Sequence, residues 1–247
     1  MTSPSKNHPP TLAELVNFNR GQRDAWVASV ARRLPPGTRI LDIGAGPCRY
    51  RPLFAHCAYQ AQDFAQYDGS NAGSPDHDWH YGELDYVCDA SAIPAPDASF
   101  DAILCTEVLE HVPDPVRVLG EISRLLRPGG QAFLSAPLGS GLHQQPYHFY
   151  GGFTPYFYQR FLAQNGLALV KIEANGHYFR WMLQEIHRAV GILQKAYHYP
   201  HWHPMRWVFR IFTNYRVAVW LSELDDRLPV EAFSVGYHVE AVKKSGS

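Results

Sequence analysis

The chain has 247 residues, of which 46% are hydrophobic and 18% charged, with a net charge of -1 when histidine is neutral. This length suits one large α/β domain or two small ones, and the composition favours the first and excludes a disordered chain. No apolar run reaches the roughly 18 residues that a membrane span needs. The charge balance shows no basic excess, so nucleic acid is not expected as a partner.

The cysteines and the first residues indicate the compartment. Cys48, Cys57, Cys88 and Cys105 show no Cys-x-x-Cys spacing, and three of them fall in or beside predicted strands. We therefore expect buried thiols rather than disulfides or zinc ligands. Residues 1–10 are polar and proline-rich without an apolar core, which predicts a loose tail rather than a targeting sequence. Together these features predict a soluble protein of the reducing cytoplasm.

The first part of the chain shows helical periodicity followed by strand signals. Apolar residues recur at helical spacing over 11–34, which predicts two helices with Gly21 as the interruption. A Pro-Pro-Gly sequence then ends the second helix. The segments that follow are predicted as strands over 39–43 and 58–63 and as a loop over 67–78.

Strands alternate with helices or loops in the middle of the chain, as a parallel doubly wound sheet requires. The clearest helix signal covers 116–126, with apolar residues on one face and Pro128-Gly129-Gly130 just beyond. Thr154 is predicted to cap a helix that runs to Gln164. Further strands are predicted over 85–88, 100–105, 131–136 and 167–172.

The pattern changes after Asn175. Aromatic-rich helices are predicted over 179–196 and 205–224, and alternation over 232–242 predicts a closing strand antiparallel to its neighbours. We therefore predict an α/β fold with a Rossmann-like, doubly wound seven-stranded sheet. This sheet is expected to be mostly parallel with an antiparallel last strand, plus a C-terminal helical insertion.

A glycine-containing turn follows the first strand. The apolar run carries Asp42 near its end and continues through Gly44 and Gly46. Glycine has no Cβ, so a small ligand can approach the main chain there, beside the free N–H groups of a helix start. A dinucleotide fingerprint needs a third glycine where this chain has Arg49, which disfavours a pyrophosphate ligand.

Residues 41–46, with the sequence LDIGAG, resemble the first motif of class I S-adenosylmethionine-dependent methyltransferases. Later segments fit that family in order: Asp63 after strand two, Asp89-Ala90 after strand three, 100–105 with 109–114, and 125–130. The match covers roughly 21–174 and is similar to the type 11, ubiquinone-methyltransferase-like branch, and the final strand resembles the family's seventh. The chain departs from the pattern at Cys48, where many members have glycine, so a slightly different loop shape is expected.

The resemblance implies that the chain binds S-adenosyl-L-methionine and releases S-adenosyl-L-homocysteine. It implies that Asp63 accepts hydrogen bonds from both ribose hydroxyls and that Asp89 and Ala90 contact adenine. Each acid also has a simpler interpretation, as a turn cap or an exposed strand-end group, but four motifs in the right order favour a site. The implied donor-binding residues are Asp42, Gly44, Ala45, Gly46, Asp63, Phe64, Asp89, Ala90, Cys105 and Thr106.

The acceptor is predicted to bind along 135–152, after strand five, at the edge where open α/β sheets bind ligands. His148 or His143 can take a proton from a hydroxyl, because imidazole titrates near neutral pH. His111, in the segment after strand four, is the third catalytic candidate. All three also have a structural interpretation, as stacking or hydrogen-bonding groups. A general base is required only if the acceptor must lose its proton, because positioning supplies much of the catalysis of methyl transfer.

Two C-terminal features are candidates for further sites. His198, His201 and His203 lie at proline-broken spacing with no nearby Cys, Asp or Glu, so no metal site is predicted. Residues 205–221 mix aromatic and arginine side chains, which allows peripheral membrane contact or a lid over an apolar substrate. Ordinary helix packing is the favoured interpretation of that segment.

We therefore expect a single methyltransferase domain over 1–247 that methylates a small molecule at oxygen. Saccharide, lipid-linked and natural-product acceptors stay open, and the sequence does not indicate an oligomeric state. The alternatives are a non-catalytic S-adenosylmethionine-binding regulatory module and, less favoured, an NAD-dependent oxidoreductase. The expected parts are a tail (1–10), N-terminal helices (11–34), a donor-binding core (35–174), a helical insertion or lid (175–231) and a closing strand (232–243).

Overall fold

The computed structural model describes residues 9–69, 79–195, 200, 202–204, 207, 211, 214–230 and 233–245. Its contacts divide the chain into two compact units. One consists of Met1–Gln22 and Asn175–Val235, and the other consists of Arg23–Ala174 and Gly236–Ser247. Every strand of the sheet belongs to the second of these units. A single methyltransferase domain over the whole chain stays a prediction.

The sheet has seven strands. They are β1 (Arg39–Ile43), β2 (Ala58–Asp63), β3 (Tyr86–Val87), β4 (Phe100–Thr106), β5 (Leu126–Pro137), β6 (Leu167–Ala174) and β7 (Gly236–Lys243). The strand order is β3-β2-β1-β4-β5-β7-β6. The first five strands pair in parallel, whereas β7 is antiparallel to both β5 and β6. The predicted mostly parallel, Rossmann-like sheet with an antiparallel last strand is confirmed.

The six helices described are α1 (Leu12–Val16), α2 (Phe18–Arg33), α3 (Pro115–Leu125), α4 (Pro155–Gln164), α5 (Tyr178–Lys195) and α6 (Tyr215–Arg227). The predicted interruption at Gly21 is wrong. The break lies at Asn17, which ends α1, and Gly21 lies within α2 with open space where a Cβ would be. The start of the helix predicted over 205–224 falls largely outside the described residues.

The central strands are buried on both faces, which explains their near-continuous apolar sequence. In β1, Ile40 packs in one core cluster with Trp26 and Val30, while Leu41 and Ile43 pack in another with residues of α3. All three β1 side chains have no exposed surface. Full burial of such a side chain stabilises the fold by about 1.5–3 kcal/mol. The two clusters hold β1 firmly in place, and with it the turn that follows.

Strand β5 begins earlier than the predicted residue 131. Asp114 caps α3 by accepting a hydrogen bond from the Arg117 N–H at 3.0 Å, and the helix passes directly into β5 at Leu126. Leu126 pairs with Phe100, and the register then shifts before Ala102 pairs with Gln131. The Pro-Gly-Gly sequence therefore lies inside the strand as an irregularity rather than forming a turn before it.

The unit formed by the first 22 residues and 175–235 has its own apolar cluster. It contains Leu15, Val16, Leu183, Ala218 and Leu221. Asp225 is 1% exposed and accepts hydrogen bonds from the N–H groups of His177 at 2.8 Å and Phe179 at 2.9 Å, at the start of α5. This arrangement satisfies N–H groups that a helix start leaves unpaired. Within the described ranges, no helix is both long and apolar enough to cross a bilayer.

Candidate active site

The turn after β1, residues 44–48, is called the glycine turn below. Gly44, Gly46 and Cys48 all have positive φ, at 68°, 50° and 55°. A Cβ on Gly44 would lie 2.3 Å from Cγ2 of Val108, so this position requires glycine. Cys48 adopts the left-handed conformation as a non-glycine residue, and its buried thiol lies 3.4 Å from the Glu83 carbonyl oxygen.

Asp63 ends β2 and anchors the glycine turn. Its Oδ2 accepts the Gly46 N–H at 2.9 Å and its Oδ1 accepts the Ala65 N–H at 3.0 Å. Burial raises the pKa of this carboxyl, and these backbone hydrogen bonds oppose the shift. Each oxygen keeps a second lone pair, so the carboxylate can still accept two ligand hydroxyls.

Asp42 is buried in the strand, with only 2% of its surface exposed. The Tyr59 hydroxyl donates to its Oδ2 at 2.6 Å. Burial raises the pKa of Asp42 to about 7, the hydrogen bond from Tyr59 opposes this rise, and the charge of Asp63 adds to it. The two acids are therefore electrostatically linked, and Asp63 contacts the turn directly.

Gln62 is a buried residue that links two segments by hydrogen bonds, and the sequence did not predict this role. Its Oε1 accepts the Gly44 N–H at 3.3 Å, and its Nε2 donates to the Cys88 carbonyl at 2.6 Å. Its own carbonyl accepts the Ala45 N–H at 2.9 Å. Gln62 thus joins the glycine turn to the end of β3. The available signal was a polar residue directly before Asp63 in an otherwise buried part of β2.

The remaining predicted donor residues also follow strand ends. Asp89 is exposed and its Oδ1 accepts the Ser91 N–H at 2.7 Å, whereas Ala90 is buried. Cys105 is fully buried in β4 opposite Ile43, and the half-buried Thr106 is the last residue of β4. The register therefore gathers the predicted donor residues at the carboxyl ends of β1 to β4.

Three aromatic residues beside the glycine turn were missed as site residues. The Trp79 ring lies 3.2 Å from the position of a Cβ on Gly46. Its ring centroid is 5.5 Å from that of Tyr67 and 5.8 Å from that of Tyr81. The Tyr81 hydroxyl accepts the Tyr67 N–H at 3.0 Å and donates to the Tyr67 carbonyl at 2.9 Å. Of the loop predicted over 67–78, residues 70–78 lie outside the described part of the chain.

His111, His143 and His148 form one group, called the histidine cluster below. The ring centroids are 4.8 Å apart for His111 and His143, 4.5 Å for His143 and His148, and 5.7 Å for His111 and His148. The structure thus brings together the three predicted catalytic residues, which come from two separate segments. Their catalytic role stays a prediction.

Backbone carbonyls orient two of the three imidazoles. The Nδ1 of His111 lies 2.7 Å from the Tyr147 carbonyl, and the Nδ1 of His143 lies 2.8 Å from the Gly141 carbonyl. A carbonyl oxygen only accepts hydrogen bonds, so each Nδ1 carries the proton and each Nε2 keeps its lone pair. The Nε2 of His148 lies 3.1 Å from Oγ of Ser140.

Burial and crowding favour the uncharged form of His111 and His148. Burial lowers the pKa of His111 to about 4, although the hydrogen bond to Tyr147 opposes the shift, and the other two imidazoles lower it further. Burial and the neighbouring His143 also lower the pKa of His148. Neutral imidazoles can accept protons or bind a metal ion.

Tyr147 connects the histidine cluster to the predicted donor residues. Its ring centroid lies 4.8 Å from that of Phe64 in an edge-to-face contact, and its carbonyl accepts from His111. Phe64 directly follows Asp63. A donor bound by Asp63 and the glycine turn would therefore lie beside the loop that carries His143 and His148.

The C-terminal candidates are only partly described. His198 and His201 lie outside the described residues, and His203 is described. Within 205–221, most of residues 205–213 are likewise outside. The described side chains Trp207, Ile211 and Trp220 are 70%, 51% and 59% exposed. Membrane contact and a lid role for this segment both stay predictions.

Comparison with known proteins places the matched residues in one family. The family described as "Methyltransferase domain", type 11, matches residues 41–134, which include the first motif and the four later segments. The ubiquinone biosynthesis O-methyltransferase of Paracidovorax citrulli (strain AAC00-1) is 33% identical over 122 residues, covering 46% of this chain and 48% of that relative. The sarcosine/dimethylglycine N-methyltransferase of Halorhodospira halochloris is 28% identical over 185 residues, covering 68% and 66%.

The fold has solved relatives as well. A candidate sarcosine dimethylglycine methyltransferase from Galdieria sulphuraria matches with a TM-score of 0.57 at 19% identity, over 90% of this chain and 86% of that one. At this identity the likeness shows a shared fold. The chain spans about half to two thirds of the length of these two curated relatives. Residues 41–134, which carry the glycine turn and the carboxyl ends of β1 to β4, therefore match the type 11 methyltransferase domain family.

Proposed function

We propose that this protein transfers a methyl group from S-adenosyl-L-methionine to an oxygen atom of a small molecule. The observation that carries the proposal is the position of Tyr147, whose ring contacts Phe64 beside Asp63 and whose carbonyl holds His111. The proposed donor site and the three imidazoles thus adjoin in one compact unit. Methyl transfer needs an acceptor site directly beside the donor site, because the acceptor must approach the methyl group in line.

On the donor side, Asp63 is the proposed ribose ligand, and the glycine turn is proposed to receive the methionine end. Asp42 provides a buried negative charge close to this end when it is ionised. A positively charged donor is favoured beside these two acids, which is consistent with a sulfonium compound rather than a pyrophosphate. Asp89 and Ala90 are the proposed adenine contacts.

On the acceptor side, His148 is the proposed general base. It is half-buried, so an acceptor can reach it, and Ser140 holds its Nε2 in place. Removing a proton from a hydroxyl during methyl transfer would make the oxygen a better nucleophile. His143 and His111 complete the imidazole surface that would face the acceptor.

The two curated relatives act, by name, in ubiquinone biosynthesis at oxygen and on sarcosine and dimethylglycine at nitrogen. We infer an oxygen acceptor here because neutral imidazoles suit the deprotonation of a hydroxyl, whereas a free amine already carries its lone pair. Saccharides, lipid-linked saccharides and phenolic natural products form the proposed acceptor class. A cytoplasmic location belongs to the same proposal.

Calorimetry with S-adenosylmethionine, S-adenosylhomocysteine and NAD tests the donor. We expect binding of both sulfur nucleosides, and we expect Asp63→Ala to weaken it by about 1–3 kcal/mol, the scale of losing hydrogen bonds to a charged group. Asp101→Asn is the matched control, because Asp101 lies at the opposite end of the sheet, hydrogen-bonded to Arg39. Binding of NAD alone, or unchanged affinity in Asp63→Ala, would contradict the donor assignment.

Labelled donor and a panel of hydroxyl and amine compounds test the acceptor. His148→Ala is expected to bind the donor normally and to turn over an oxygen acceptor about a hundredfold more slowly, the lower end of the range for loss of a general base. Full activity of His148→Ala would remove it as the base. Donor binding without transfer to any compound would favour the regulatory module instead.

A further inference from the structure

We propose that Glu110, His111 and His143 form a binding site for a first-row divalent metal ion of the Zn²⁺ type. One carboxylate oxygen and one imidazole nitrogen from each histidine lie within 4.8 Å of one another. The Nε2 of His111 is 3.7 Å from Oε1 of Glu110. Small side-chain rotations would bring such atoms to the roughly 2.0–2.2 Å at which Zn²⁺ binds nitrogen and oxygen.

The histidines are already oriented as metal ligands are. Both donate their Nδ1–H to a backbone carbonyl, His111 to Tyr147 and His143 to Gly141. Metal-binding histidines usually have such a partner, which fixes the tautomer and the ring direction and leaves Nε2 for the ion. A merely structural imidazole pair has no need for both rings to place a nitrogen near the same carboxylate.

Glu110 supplies the second, independent observation. The side chain is 1% exposed, and its Oε2 has no hydrogen-bond partner among the residues that the structure describes. A buried carboxylate without a partner is costly, because the lost hydration is not replaced. Its main chain is fixed, since its carbonyl accepts the N–H groups of Phe149 and Tyr150. A cation bound at Oε2 or Oε1 would offset the cost where no hydrogen bond does.

The ligand set identifies the class of ion. Two imidazoles and one carboxylate suit Zn²⁺, Fe²⁺, Co²⁺ and similar ions, whereas Mg²⁺ and Ca²⁺ prefer oxygen ligands alone. Three protein ligands also leave a coordination position for water or an acceptor oxygen. A role of the ion in activating the acceptor rests on the proposed function, but the site itself does not.

The sequence pattern does not indicate the metal site. Glu110 and His111 lie in a short helical turn after β4, and His143 lies in the loop after β5. The spacing between them matches no metal motif. His148 lies beside the site, with its Nε2 directed to Ser140, so we do not include it among the ligands.

Equilibrium dialysis of the untagged, chelator-treated chain against Zn²⁺ tests the site without donor or acceptor. We expect the wild type to bind one equivalent, and Glu110→Gln and His143→Asn to lower the affinity by about tenfold or more. His56→Asn is the matched control, because the His56 ring contacts the Leu34 carbonyl instead. With Co²⁺ as the probe, the wild type should show visible absorption bands that His143→Asn lacks.

Several outcomes would overturn the proposal. They are no Zn²⁺ retained by the wild type, retention that Glu110→Gln and His143→Asn leave unchanged, and equal competition by Mg²⁺. If Glu110→Gln does not fold, His143→Asn decides, because His143 is half-buried in a loop and its replacement should leave the sheet intact. The readout involves neither methyl donor nor turnover, so it is independent of the proposed function.

Discussion

The glycine turn and the histidine cluster belong to the same compact unit but depend on different parts of the structure. The glycine turn is fixed by main-chain hydrogen bonds to the neighbouring strand, such as Gly46 N–H to Asp63 and Ala45 N–H to Gln62. The histidine cluster is assembled by a short helical turn and a long loop that meet through hydrogen bonds to the Glu110 and Tyr147 carbonyls. Strand register determines the first region, and loop conformation determines the second.

This difference predicts that the glycine turn tolerates substitutions less well than the loop that carries His143 and His148. Around the glycine turn, buried groups leave little space, and an added methyl group must displace a neighbour. In the loop after β5, Gly141, Leu142 and Phe149 are exposed, and hydrogen bonds from main-chain N–H groups and side chains to carbonyls hold the loop. Loss of one such bond typically costs about 1 kcal/mol. Substitutions that target each region separately can therefore test whether the two act independently.

Gly44→Ala should have the largest effect on stability. The residue has φ of 68°, and the new Cβ would lie 2.3 Å from Cγ2 of Val108. Left-handed strain of about 1–2 kcal/mol and overpacking of about 1–3 kcal/mol together predict a loss of about 3 kcal/mol in the free energy of unfolding. Urea denaturation measures it, and donor binding should be lost with it.

Two controls separate the two effects of Gly44→Ala, which are the backbone strain of the left-handed conformation and the steric overlap with Val108. Gly37→Ala introduces the same strain, at φ of 79°, but in open space, and should cost only about 1 kcal/mol. Gly44→Ala combined with Val108→Ala should be less destabilised than the sum of the two single variants. Strict additivity, or equal losses in Gly37→Ala and Gly44→Ala, would show that Val108 does not restrict the turn.

The sequence predicted the glycine turn well because its chemistry is local. An apolar run, an acid and two glycines suffice to indicate a buried strand and a turn open to a ligand, and the parallel sheet then brings Asp63 and Asp89 to the same edge. The start of β5 was missed, because a Pro-Gly-Gly sequence normally ends strands, and here the pairing of Leu126 with Phe100 overrides that preference.

The histidine cluster was predictable only as a set of residue types. His111, His143 and His148 were identified as candidates, but nothing local indicates that their rings lie within contact distance. Glu110 was part of a motif without a role, and its burial arises from the packing of a turn that the sequence leaves undefined. The Trp79 contact with the glycine turn likewise depends on long-range folding.

Asp42→Asn should have an intermediate effect that depends on pH. The folded carboxyl, with a pKa of about 7, keeps its proton where the unfolded one, near 3.8, has lost it. Between these values the folded state binds more protons, so the contribution of Asp42 to stability falls as pH rises through this window and is constant above it. Asp42→Asn has no titrating carboxyl at this position, so its stability does not fall in this way. The difference between the free energies of unfolding, variant minus wild type, should therefore rise by about 2 kcal/mol from about pH 5 to about pH 8.

Asp101→Asn is the control for Asp42→Asn, because its effect on stability should change with pH in the opposite direction. Hydrogen bonds from Arg39 hold the pKa of Asp101 well below its usual range, and Arg127 adds to the effect. This acid stabilises the fold above its unfolded pKa, and the stabilisation is lost as pH falls through the folded value. The variant should therefore be less stable than wild type at neutral pH and approach it in acid. If the stability of Asp42→Asn relative to wild type changes with pH in the same direction as that of Asp101→Asn, Asp42 is ionised in the folded state.

Ser140→Ala should have the smallest effect and should be confined to the histidine cluster. The variant loses the contacts of Oγ with His148 Nε2 and the Gly151 carbonyl, both at 3.1 Å, while the Ser140 N–H still donates to Gly151. We expect a loss of about 0.5–1 kcal/mol in the free energy of unfolding. Because His148 would be less well oriented, kcat should fall by up to about tenfold. The affinity for S-adenosylmethionine should not change, since no bond to the glycine turn is removed.

Ser29→Ala is the matched control for Ser140→Ala, because the Ser29 hydroxyl also donates to a carbonyl, that of Trp26, at 2.8 Å. It should show a similar loss of stability with normal kcat. A fall in donor affinity in Ser140→Ala but not in Ser29→Ala would reveal coupling between the histidine loop and the glycine turn. Tyr147 would be the route for it, since its ring contacts Phe64 and its carbonyl holds His111. Equal effects of both variants on every readout would show instead that Ser140 supports the loop without orienting His148.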